Sequence, residues 1–107
     1  MRDTTQATFS RDVLQSPVPV LLDVWAPWCQ PCKALSPLLE QLEQRMQGHL
    51  VVLKLDLDQN QVLGQQYGVR TLPTLILFRG GQVVNQQVGH PGSLAAIESF
   101  VRESLGI

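Results

Sequence analysis

Cys29 and Cys32 are the only cysteines in the 107-residue chain, set within Trp25-Ala26-Pro27-Trp28-Cys29-Gln30-Pro31-Cys32-Lys33. A pair at this spacing serves either as half of a zinc site or as a dithiol that opens and closes. Zinc takes four ligands. His49 and His90 are the only histidines, and there is no second Cys-x-x-Cys. A purely structural bridge would close a tiny loop and constrain the unfolded chain little. A small secreted scaffold would also carry more cysteines, spread along its length. Dithiol–disulfide exchange is the chemistry these residues favour.

Exchange needs a thiolate that attacks and a second thiol that displaces it. The free N–H groups and dipole at a helix start favour negative charge on Cys29. Pro31 suits the first turn, where no backbone donor is required. Cys32 follows one turn later on the same face, close enough to bond to Cys29. Cys29 is thus expected to be the exposed nucleophile and Cys32 the inward-facing resolving thiol. No step calls for a flavin or a metal.

These cysteines require a strand that hands over to a helix. Val18 to Ala26 is almost wholly apolar, β-branched or aromatic, which predicts a strand buried on both faces of a central sheet. From Pro31 to Met46, Leu35, Leu38, Leu39, Leu42 and Met46 recur at helical spacing. Pro37 interrupts that helix and should kink it, and Gly48 ends it. Leu50 to Asp56 predicts a second inner strand, and residues 60 to 66 a short helix ended by Gly68. Thr74 to Phe78 and Gln82 to Val88 flank Gly80-Gly81 as a hairpin. Ser93 caps a closing helix with Leu94, Ile97, Phe100, Val101 and Leu105 on one face. Phe9 to Leu14 is a short helix with Ser10 as its cap. Residues 1 to 8 show no apolar alternation, so a strand there is weak. The whole is one α/β domain over residues 1–107, with a mixed sheet of four to five strands flanked by four helices.

Within the central strand, Asp23 is a carboxylate among Leu21, Leu22, Val24 and Trp25. The apolar run favours burial over an edge position facing water. Desolvation would raise its proton affinity, and Lys54 on the neighbouring inner strand would oppose that rise. A poorly hydrated acid here has a use as the base that deprotonates Cys32. Trp25 reads as packing, whereas Trp28 lies beside the nucleophile and shapes its surface. Pro73 is either a strand-start proline or a cis turn that opens the Leu72 backbone to a substrate strand. If the following strand runs antiparallel to the central one, that turn falls next to Cys29. Gly89 is equally a turn glycine or a substrate contact. His90 is expected to border that surface, exposed and without a chemical role.

From about Phe9 onward the chain resembles the thioredoxin family. The likeness rests on Asp23-Val24-Trp25-Ala26-Pro27-Trp28-Cys29, Pro31-Cys32-Lys33, Lys54-Leu55-Asp56, Tyr67-Gly68-Val69-Arg70, Leu72-Pro73-Thr74, Phe78 and Val88-Gly89. Separate motifs in the right order are more specific than one Cys-x-x-Cys. The resemblance implies a five-stranded sheet with four helices and general disulfide reductase activity. It also implies recharging by an NADPH-dependent flavoprotein reductase (thioredoxin reductase), a cis Pro73, and Asp23 and Lys54 buried near Cys32. Gln30 stands where the family usually has glycine, Thr71-Leu72 replaces a common Gly-Ile, and His90 takes the place of a small residue. The family's first strand has no clear counterpart in residues 1 to 8.

Hydrophobic residues make up 44% of the chain, enough for a core, and the net charge of −1 with scattered acids and bases argues against nucleic acid or an anionic membrane as partner. No apolar run is long enough to cross a bilayer and no signal segment opens the chain, so a monomer in the cytoplasm is expected. The partners expected are disulfide-containing client proteins and the reductase. An isomerase or oxidase of the same fold would differ in redox poise, and a binding module of the same fold would not need both cysteines.

Overall fold

The apolar segment around Asp23 forms β2 (Val20–Trp25), the middle strand of the sheet, in a computed structural model that describes residues 1–107. Parallel to it runs β3 (Val51–Asp56), with Asp23 opposite Lys54. On its other side β4 (Thr74–Arg79) runs antiparallel, with Val24 opposite Thr74. β1 (Arg2–Asp3) extends the sheet beyond β3, and β5 (Gln82–Val88) beyond β4, giving the order β1-β3-β2-β4-β5.

Both faces of this sheet are covered, which is why β2 and β4 read as unbroken apolar runs. One face packs Leu21, Val52, Leu75 and Leu77 against α1 (Gln30–Arg45) and α3 (Leu94–Leu105). The other packs Leu22, Val24, Leu53, Leu55, Ile76 and Phe78 against the helical turn Ser10–Leu14 and α2 (Gln61–Gln66). Phe9, Tyr67 and Phe78 meet there with ring centroids 5.4–5.8 Å apart. Strand alternation places Asp23 on the α1–α3 face, directly after Leu21.

The predicted turns and caps are largely met. Ser93 accepts the Ala96 N–H at 3.1 Å, and Pro37 lies inside α1. Gly80 and Gly81 have φ of 61° and 80°, the left-handed pair that a two-residue hairpin turn demands. A Cβ on Gly81 would also stand 2.8 Å from the Leu14 carbonyl oxygen.

The N-terminal segment departs from expectation. Its strand is only two residues long, as the weak pattern implied, yet polar contacts anchor it firmly. The Thr4 N–H donates to the Lys54 carbonyl at 2.9 Å. Thr4 Oγ1, itself buried, donates to Asp12 Oδ2 at 3.0 Å. Ser10 does not cap the helical turn. Phe9 precedes it already in helical conformation, and Ser10 Oγ instead accepts from the Gln15 side chain at 3.0 Å. Gln6 supplies an unforeseen cap, its Oε1 accepting the Val62 N–H at 3.1 Å in the first turn of α2.

Burial alone would raise the proton affinity of Asp12, but hydrogen bonds from Thr8, Thr4, Arg2 and Arg11 outweigh it and hold the carboxyl down at about 2. Asp12 therefore stabilises the fold fully above its unfolded value of 3.8, and that contribution is lost as pH falls through about 2. Arg2 and Arg11 are 61% and 74% exposed and add little through screened charge, so the threonine contacts carry most of the effect. Asp12→Ala is expected to cost about 1–2 kcal/mol at pH 7. In urea denaturation across pH 7 to 2, the gap between variant and wild type should close below pH ~4. A gap that stays constant to pH 2 would contradict the assignment.

Candidate active site

The chain leaves β2 at Trp25 and turns tightly, the Cys29 N–H donating to the Ala26 carbonyl at 3.0 Å. Cys29 is the N-cap of α1, and its Sγ accepts the Cys32 N–H at 3.3 Å. That donor is one of the helix's unpaired first-turn groups, so it points partial positive charge at the sulfur expected to ionise. Pro31 occupies the first turn. Cys29 and Cys32 form a disulfide across a Cα–Cα distance of 5.3 Å.

The expectation of an exposed Cys29 is corrected. In this oxidised state Cys29 is 4% exposed and Cys32 2%, so both are buried. What distinguishes the cysteines is their position on the helix. The exposed rim consists of Trp28, at 66%, with Gln30 and Pro31. Trp28 is held by a contact that sequence reasoning missed, its Nε1 donating to Asp58 Oδ2 at 3.0 Å. Asp58 is itself fixed by its N–H bond to Asp56 Oδ1 at 2.9 Å. Nothing in local sequence pattern links Asp58 to Trp28, thirty residues earlier.

The antiparallel pairing of β4 with β2 brings the Leu72-Pro73 turn beside the end of β2, as foreseen. The Leu72–Pro73 peptide is cis and Pro73 is buried. Neither backbone group of Leu72 has a hydrogen-bond partner in the chain. Gly89, at φ 85°, donates its N–H to the Pro73 carbonyl at 2.8 Å and so ties the end of β5 to this turn. His90 is half-buried rather than exposed, its Nδ1 accepting the Gly92 N–H at 2.8 Å. That contact closes a loop.

Asp23 is fully buried, and neither carboxylate oxygen has a hydrogen-bond partner. Desolvation pushes its carboxyl up to about 7, with Lys54 opposing the rise. Lys54 is the register neighbour of Asp23, but it is half-buried and makes no ion pair with it. Its Nζ lies 4.1 Å from the centroid of the Trp25 ring. The expected partnership is thus one of proximity. No group of three or more His, Cys, Asp or Glu is arranged to hold a metal ion.

The family model described as Thioredoxin matches residues 1–103. The chain is 46% identical over 85 residues to thioredoxin 1 of Nostoc sp. PCC 7120, covering 79% of each protein. It is 47% identical over 87 residues to the thioredoxin of Pseudomonas aeruginosa, covering 81% of each. Over 98 residues it is 44% identical to the bifunctional thioredoxin reductase/thioredoxin of Mycobacterium leprae, covering 92% of this chain and 21% of that one. The chain belongs to the thioredoxin family.

Thioredoxin-family membership and a closed Cys29–Cys32 pair make this a thiol–disulfide oxidoreductase, a protein-disulfide reductase with a redox-active disulfide. The mixed five-stranded sheet is the thioredoxin fold. No helix is long and apolar enough to cross a membrane. With exposure removed as the discriminator, the helix-start position of Cys29 carries the reactivity assignment. Limited alkylation of the reduced protein, read by mass spectrometry, is expected to label Cys29 before Cys32. Prior labelling of Cys32 would overturn the order.

Proposed function

We propose that Cys29 attacks a disulfide in a client protein, Cys32 resolves the mixed disulfide, and Asp23 takes the proton from Cys32. The Cys29 thiolate forms a bond to one client sulfur and expels the other as thiolate. Cys32 then bonds to Cys29 Sγ, releasing the second client sulfur, so two electrons pass to the client and the chain is left oxidised. The unpartnered Leu72 backbone, in the turn that the pairing of β4 sets beside the end of β2, supports docking of an extended client segment by strand-like hydrogen bonds. None of the surface clefts is lined by either cysteine, which favours a macromolecular client over a small molecule held in a pocket. Electrons for the next cycle come from an NADPH-dependent flavoprotein reductase. The Mycobacterium leprae relative, whose name joins a thioredoxin reductase to a thioredoxin, supports that partnership. The setting proposed is the cytoplasm, with the chain working as a monomer.

The observation that carries the Asp23 role is a buried carboxylate with no partner on the face covered by the helix of Cys32. Raising its carboxyl from 3.8 to about 7 withholds roughly 4 kcal/mol of stability once both states are ionised. The sign follows from linkage. The native state binds the proton more tightly, so the benefit is complete below pH ~4 and is lost as pH rises through about 7. Asp23→Ala is expected to be more stable at pH 8 by about 2–4 kcal/mol, less the cost of a small cavity. Insulin reduction with NADPH and a reductase should slow at least ~10-fold, with Cys29 alkylation nearly unchanged. A variant that is less stable and fully active would make Asp23 an ordinary structural residue.

A further inference from the structure

Lys54 and Asp23 occupy opposite positions on adjacent parallel strands, so their side chains leave the same face of the sheet one strand spacing apart. A four-carbon side chain easily closes an ion pair over that distance. It does not do so here. The ammonium rests 4.1 Å from the Trp25 ring centroid, while both Asp23 oxygens remain without a partner. Trp25 stands two residues after Asp23 on the same face of β2, and its ring offers a negative surface to the cation.

We propose that Trp25 is a positioning residue whose ring holds the Lys54 ammonium away from Asp23 and so keeps that carboxylate unpaired. The inference rests on the reading of Asp23 as proton acceptor. A released Lys54 would settle on Asp23, favour its ionised form and leave it a weaker base for Cys32. Two carboxylates neighbour Lys54 in the sheet. Asp3 on β1 is its register partner on the outer side, and Asp56 lies two residues along β3, opposite Trp25. Neither forms an ion pair with it. From α1, Cys32 is buried and held in the disulfide, so it brings no charge to this face in the oxidised protein. Glu43, at the far end of that helix, is taken by the Val52 N–H and the Met1 amine. Glu98 on α3 is taken by Arg45 and Arg102. Across β4, Asp23 faces only Leu75.

Titration of the Asp23 carboxyl carbon by NMR, in oxidised protein labelled at aspartate, reads the ring's effect without reference to activity. Trp25→Leu is expected to lower the midpoint, reducing proton affinity about tenfold or more. Lys54→Met should raise it. In the double variant, Trp25→Leu should add nothing to Lys54→Met, since the ring acts only through the ammonium. A shift of equal size with and without Lys54 would mean that the ring merely excludes water, and no shift would mean that it holds nothing; either overturns the proposal. Should Trp25→Leu not fold, Trp25→Phe is expected to show a smaller fall in the same direction that vanishes beside Lys54→Met. The acid limb of the pH profile for Cys32 resolution should move with the Asp23 midpoint. If Asp23→Ala reduces disulfides at full speed while the titrations behave as described, the role as base fails and the placement of Lys54 by Trp25 stands.

Discussion

Desolvation of the Asp23 carboxylate governs how the remaining parts of this protein must be arranged. A charge can be kept out of water only where the surroundings are packed on every side, and the middle of a five-stranded sheet provides that. β3 and β4 close β2 from its two edges, and α1 and α3 cover the face on which Asp23 lies. An edge strand would let water reach the carboxylate and relax its proton affinity toward the ordinary range. The central position of β2 is therefore a requirement of the proposed chemistry as much as of core packing.

The same strand also fixes where the sulfurs go. β2 ends at Trp25, and within a few residues α1 begins with Cys29 as its N-cap, so carboxylate and disulfide are displaced along one short stretch of backbone. Antiparallel pairing then sets the start of β4 beside the end of β2, and with it the Leu72-Pro73 turn that precedes β4. Gly89 joins β5 to that turn through the Pro73 carbonyl. In the proposed reading, the client therefore meets a helix start and a turn that leads directly into a strand, both tied to the central sheet.

Features written into local pattern were legible in the sequence. The apolar run around Asp23 predicted its burial, the shift from strand to helical period located the cysteines at a helix start, and Gly80-Gly81 located the hairpin. Contacts that a side chain makes with residues distant in sequence were not legible, because periodicity says which face a residue occupies and nothing about where a long side chain ends. Trp28 with Asp58 and Gln6 with α2 belong to this class. Lys54 shows the limit most clearly. Its place beside Asp23 follows from strand order, yet the choice between carboxylate and indole depends on the ring two residues further along. Cys29 was misread for a related reason. A helix start makes a sulfur reactive, but its exposure depends on how neighbouring segments pack around it, which local pattern does not show.

Asp12 and Asp23 show how one residue type is turned to opposite ends by its surroundings. Both are buried, so both carry a desolvation cost that favours the neutral acid. Asp12 meets hydroxyl and guanidinium donors, and its charged form prevails down to about 2. Asp23 meets none, and it still holds a proton up to about 7. Their effects on stability therefore occupy separate windows. Between pH ~4 and ~7 the Asp12 contribution is constant while that of Asp23 declines, and below pH ~4 Asp12 begins to fail. For these two groups the most stable condition lies near the acid end of that interval, below neutrality. A fold selected for stability alone would give Asp23 the donors that Asp12 has. In the proposed mechanism, leaving them out keeps a proton acceptor poised near neutral pH on the face covered by the helix of Cys32, and the satisfied carboxylate on the opposite face helps offset the stability forgone.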